Sequence, residues 1–295
     1  MITRKDSHAG SWYSRDVQKL DSQLSEWLSK ATSDRRHSRA IISPHAGYEY
    51  SGQCAGFAYN QIDPDQVKRV FILGPSHYLP LGRNCALSVA ESYKTPFYSL
   101  NIDLEIYREL YQSGEFVRLS IENDEQEHSV EMQLPYIAKV MENNRHGLTI
   151  VPIVVGSLSP GREVVYGNLL APYLADSSNL FVISSDFCHW GRRFQYTYYD
   201  RQKGEIWKSI QALDEEGMSA IERLSPADFT NYLSQYGNTI CGRHPIGIFL
   251  NCVGALQERS NMTCDFKFLK YAQSERCHSM NESSVSYAAG SLIIR

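Results

Sequence analysis

No Cys-x-x-Cys pair occurs among the seven cysteines of this 295-residue chain. An odd number of thiols without paired spacing fits reduced cysteines rather than a disulfide framework. Long apolar runs are also missing. Nothing approaches the roughly 20 apolar residues a membrane helix needs, and Met1 to Ser14 carry no signal-peptide core, so membrane insertion is not expected. Without a secretory signal, the glycosylation-type triplets at Asn261-Met262-Thr263 and Asn281-Glu282-Ser283 carry little weight. The expected setting is soluble and intracellular. Charge of one sign is absent as well: 29 basic residues face 33 acidic ones, with no Lys/Arg block, which argues against nucleic acid or an anionic membrane surface as partner. Low-complexity linkers are lacking, and the polar stretch from Ser29 to Arg39 lies too near the start to separate domains. One domain spanning residues 1–295 is expected.

The 42% hydrophobic content is enough for a large core. Apolar runs at Ala40 to Ile42, Val70 to Leu73, Ile150 to Val155 and Leu180 to Ile183 have the continuous character of buried parallel strands. Helical spacing runs through Leu104 to Gln112, His128 to Glu142, Gly161 to Leu174, Arg201 to Glu215, Pro226 to Gln235 and Pro245 to Glu258. Val285 to Ile294 reads as a last strand. The pattern predicts an α/β fold with a mostly parallel central sheet.

In such sheets ligands gather beyond the carboxyl ends of the strands. Three ends are rich in polar residues: Ser43-Pro44-His45-Ala46-Gly47-Tyr48, Gly74-Pro75-Ser76-His77, and Ser184-Ser185-Asp186-Phe187-Cys188-His189-Trp190. A single histidine in a Gly/Pro turn is ordinarily just hydrogen-bonded in place. Three at independent strand ends point to a shared site, where imidazole suits iron, copper or zinc and Asp186 can ligate or orient. Cys241 precedes the helix expected near Pro245, where helix-end amides and Arg243 would favour the thiolate; the alternative is a buried structural thiol, as assumed for Cys54, Cys85, Cys252 and Cys264. His128 and Glu131 stand three apart on one helix face. They either support the site from behind or are solvated helix charges.

The segments Ser7 to Tyr13, Pro44 to Tyr48, Leu73 to His77, Glu127 to Glu131, Ser185 to Trp190 and Cys241-Gly242-Arg243-His244-Pro245 together resemble the Memo family, a mediator of receptor-driven cell motility. The likeness continues to Tyr287-Ala288-Ala289-Gly290. That family resembles the class III extradiol dioxygenases, non-haem iron enzymes with an αβα fold and a metal held by two histidines and a glutamate. The resemblance implies a single three-layer αβα domain. It places His45 and His77 at the histidine positions and Cys241 at the carboxylate position, with Asp186 and His189 as candidate catalytic groups in the same pocket. His189 resembles the dioxygenase acid/base histidine. His128, Glu131, Arg243 and His244 would stand behind the ligands. The resemblance further implies iron or copper, redox balance, growth-factor receptor signalling, a cytoplasmic and nuclear setting, and binding of phosphotyrosine peptides from receptors or adaptors.

Replacing a carboxylate by a thiolate softens the donor set toward copper(I) or zinc and makes ring cleavage doubtful. Two other function classes stay open at this level. One is a signalling adaptor with a vestigial metal pocket, for which 19 tyrosines and four tryptophans offer surface anchors. The other is a hydrolase using Cys241 as nucleophile with His189 or His45 as base, oriented by Asp186, although no nucleophile elbow surrounds that cysteine.

Overall fold

The computed structural model describes residues 2–33 and 37–295; residues 34–36 of the polar Ser29 to Arg39 stretch lie outside the described residues. Five strands run parallel in the spatial order Leu100–Ile102, Thr149–Val155, Arg69–Pro75, Asn179–Ser184 and Ala40–Ser43. Four of them contain the apolar runs read from the sequence. Every residue of Ala40–Ser43 and Asn179–Ser184 is buried, as continuous apolar strands covered on both faces require. Ser284–Ile294 then pairs antiparallel with Ala40 to Ile42, and Cys264–Gln273 pairs antiparallel with it in turn.

Helices cover both faces. Pro160–Ala175 and Arg243–Arg259 pack together on one side, where a Cβ on Gly167 would lie 2.6 Å from Asn251 Cβ. Val17–Ser29, Tyr48–Tyr59 and Leu134–Val140 form the other layer. The fold class is therefore the expected one, a mixed α/β domain with a mostly parallel central sheet between helices.

Two helices differ from expectation for identifiable reasons. His128 to Glu142 does not run as one helix: it breaks into His128–Glu131 and Leu134–Val140, then a 3₁₀ segment. Pro135 has no N–H to give the Glu131 carbonyl, so the ladder stops there. Arg201 to Glu215 opens as a short 3₁₀ turn, and the α-helix proper spans Ile206–Glu222. Gly204 sits between them at φ +87°, a conformation other residues resist.

The parallel strands are in register, Leu73 beside both Ile153 and Ile183, and Ile183 beside Ile42. Their carboxyl ends consequently open at one edge of the sheet. Pro44-His45, Ser76-His77 and Ser185-Asp186 all leave from there.

Candidate metal centre

His45 is the most constrained of the site residues. Its backbone N–H donates to Asp186 Oδ1 at 2.8 Å, and its Nδ1 lies 2.7 Å from Ser184 Oγ. That hydroxyl donates its one proton to the Ser129 carbonyl and also accepts from Gln133 Nε2. Its remaining capacity is as acceptor, so His45 Nδ1 carries the proton and Nε2 presents a lone pair. Nε2 faces Cys241 Sγ at 3.1 Å, with Asp186 Oδ2 at 4.0 Å.

The same logic sets the other two rings. His77 Nδ1 lies 2.9 Å from Glu127 Oε1, and its backbone N–H donates to Oε2 of the same carboxylate at 2.6 Å. His189 Nδ1 faces the carbonyls of Phe187 and Thr239 at 2.9 and 3.1 Å. Each partner only accepts, so each ring keeps Nε2 free. Donor atoms from His45, His77 and Cys241 all lie within 4.8 Å of one another.

Cys241 is brought in by Gly242. The Gly242 N–H donates to Ser185 Oγ at 3.1 Å, and a Cβ at that position would sit 2.3 Å from Ser185 Cβ, so only glycine lets the two segments touch. The Asp186 N–H in turn donates to Cys241 Sγ at 3.2 Å. The helix expected near Pro245 begins at Arg243, but the thiol is not lowered as anticipated. Burial, and next the Asp186 carboxylate, push it well up. Arg243 lines a separate cleft with Glu163 and Phe229 instead of serving the sulfur. His244 is beside it, its Nδ1 2.8 Å from Glu163 Oε1, so neither residue stands behind the three donors.

Burial, then the neighbouring His77, His128 and His189, hold His45 well below the usual imidazole range. Burial also raises Asp186, while the His189 charge opposes it. For Glu127, burial works upward, but the hydrogen bond and charge of His77 and the charge of His128 overcome it and bring the carboxyl down to about 2. A neutral buried thiol beside a neutral imidazole is a weak nucleophile, and His45 is oriented by a serine, not a carboxylate.

His128 and Glu131 are not solvated helix charges; both are buried. Glu131 points away from the donors and accepts from Arg4 Nη1, the His8 N–H and Tyr13 OH at 2.6, 2.8 and 2.9 Å. His128 forms part of the wall of a 620 Å³ cavity together with Trp12, His45, His77, Asp186 and His189. The sequence reading gave no role to Glu127, Ser184, His8 or Trp12. For His8 and Trp12 a signal exists in the chain: His8-Ala9-Gly10 repeats His45-Ala46-Gly47, and the His8 and His45 rings lie 6.0 and 5.4 Å from the His128 ring.

The chain matches the Memo-like protein family over residues 4–291. It is 56% identical to Protein MEMO1 of Rattus norvegicus over 294 residues, covering 100% of this chain and 98% of that protein. It is 48% identical to the memo-1 homolog of Caenorhabditis elegans, across 99% of this chain and 83% of the relative. A solved structure of an uncharacterized Escherichia coli K12 protein aligns at 12% identity over 84% of this chain and 98% of its own, with a TM-score of 0.49. With full-length identity of this order to curated relatives, the chain belongs to the Memo family.

Proposed function

We propose that this chain is a metal-binding redox protein in which His45, His77 and Cys241 hold iron or copper, with Asp186 and His189 on the open side. The observation that carries it is the common tautomer: Ser184, Glu127 and two backbone carbonyls hold the Nδ1 protons of three histidines. Metal–nitrogen and metal–sulfur bonds of about 2.0–2.3 Å set neighbouring donors roughly 3.3–3.7 Å apart, which a set lying within 4.8 Å meets with small side-chain shifts. A bound ion supplies Lewis acidity and one-electron chemistry. The chain's own residues do the rest. Asp186 offers a second anionic edge beside Cys241, His189 presents a proton acceptor to the cavity, and Trp12 and Phe194 add aromatic surface to its lining. The Cys241 thiol must lose its proton to ligate, so uptake is a metal-for-proton exchange at that sulfur.

Metal analysis of protein purified without added metal tests this. Iron or copper should approach one ion per chain, and a His45→Ala/His77→Ala/Cys241→Ala variant should lose it. Equal content in that variant would sink the reading.

The proposed setting is growth-factor receptor signalling and cell motility in cytoplasm and nucleus, supported by family membership alone. Among the described residues no helix is long and apolar enough to cross a membrane. The adaptor alternative draws on Arg193, which lies 4.4 Å above the Phe194 ring at the cavity wall and would suit a phosphotyrosine side chain. Pull-down with a phosphotyrosine peptide separates the two readings. Metal-free variants that keep both peptide capture and migration support would favour the adaptor.

A further inference from the structure

His128 has a buried ring nitrogen that nothing among the described residues satisfies. Its side chain is 9% exposed, and Nδ1 has no hydrogen-bond partner. Leaving a buried polar atom unpaired costs about 1–3 kcal/mol, so such an atom at a pocket wall calls for an explanation. The ring is not loose. It stacks on His77 with centroids 4.4 Å apart at 22°, and on Trp12 at 4.4 Å and 33°.

The orphan Nδ1 lies 3.6 Å from Glu127 Oε1, the oxygen that His77 Nδ1 approaches at 2.9 Å. One donor atom from each of His77, Glu127 and His128 lies within 4.8 Å of the others. Two imidazoles and one carboxylate form a donor set suited to a borderline divalent cation. Glu127 is further fixed by N–H donors from His77 and Ser129, which leave lone-pair capacity on Oε1.

We propose a second cation site, formed by His77, Glu127 and His128, that takes a zinc-like divalent ion and uses His77 as a bridge to the centre built on His45 and Cys241. The ion replaces the proton between His77 Nδ1 and Glu127, and that proton leaves to solvent. His77 then binds one ion through Nε2 and the other through Nδ1. His128 Nδ1 gains the partner it lacks. The site shares His77 with the proposed centre and does not need Cys241, so the two readings fail separately.

The test is a titration of the metal-free protein with zinc(II), which adds no redox chemistry, followed by desalting and native mass spectrometry. Wild type should retain two ions, His128→Phe one, and His45→Ala/Cys241→Ala one. His128→Leu repeats the first comparison should the phenylalanine variant not fold, with circular dichroism as the check. A folded His128 variant that retains as many ions as wild type, whether one or two, overturns the second site. An unchanged count in His45→Ala/Cys241→Ala overturns the first centre instead, and the His128 comparison still decides the second. In the unmutated protein, imidazole nitrogen NMR gives a separate reading: zinc should shift His128 Nδ1, and an unmoved resonance there overturns the proposal.

Discussion

Ser184 uses its whole hydrogen-bonding capacity on placing other groups, donating to the Ser129 carbonyl and accepting from Gln133 and His45. Asp214 does comparable work one layer back. Fully buried, it accepts from the Cys188 N–H and from Asn238 Nδ2, and so joins the segment bearing His189 to the one leading to Cys241. Burial, against hydrogen bonds from Ser286, Asn238 and Tyr271, raises its carboxyl to about 6 from an ordinary 3.8. Between those values the folded state binds more protons than the unfolded one, so this group's contribution to stability is full below about pH 4 and lost as pH rises through about 6. Asp214→Asn should therefore gain on wild type by roughly 2 kcal/mol as pH is raised from 4 to 7, since each tenfold change in relative protonation is worth about 1.4 kcal/mol. Denaturant unfolding at both pH values reads the difference, and a constant offset would contradict the assignment.

At the scale of elements, the decisive contacts are close approaches of backbone. Gly52 and Gly56 let the Tyr48–Tyr59 helix sit against Trp27, whose ring and carbonyl would lie 2.3 and 2.9 Å from an added Cβ. Gly242 does the same for the loop carrying Cys241. Gly242→Ala should cost about 1–3 kcal/mol, the usual range for overpacking, and should weaken metal retention more than a surface substitution of equal size. Equilibrium dialysis alongside thermal unfolding checks this; unaltered retention would show that the loop does not depend on the Ser185 contact. The central strands were legible because their apolar runs are continuous and their polar ends abrupt. The Tyr48–Tyr59 helix was not, because Tyr48, Ser51, Gly52, Cys54, Ala55, Gly56, Ala58 and Tyr59 are all buried and leave no polar stripe to set a period. Cys264–Gln273 was missed because it is largely half-exposed and interleaves Asp265, Lys267 and Lys270 with apolar residues. For the site, histidines after strand ends were visible in the sequence. Glu127 and Glu131 are four residues apart in similar surroundings, and only the fold directs one to His77 and the other to Arg4.

Across the whole molecule, Arg4 ties the start of the chain to the region behind His77. It is fully buried, paired with Asp124 at 3.1 Å and Glu131 at 2.6 Å, and it donates to the carbonyls of Asp124 and Glu127 at 2.8 Å. Removing one side of such a network strands buried carboxylates. Arg4→Met should cost about 3–5 kcal/mol, measured by chemical denaturation, and a loss under 1 kcal/mol would show that Asp124 and Glu131 take up protons instead. The donors themselves come from positions 45, 77 and 241, and the strand ending at Ser43 is flanked by Ser284–Ile294. No short segment contains two of these three donors, in contrast to zinc fingers, where the ion organises its own loop. During synthesis the pocket has no existence until the segment carrying Cys241 has been made. If the proposed centre holds an ion, that ion would reach it only in a protein already folded, through the cavity that Trp12 and Phe194 help to line.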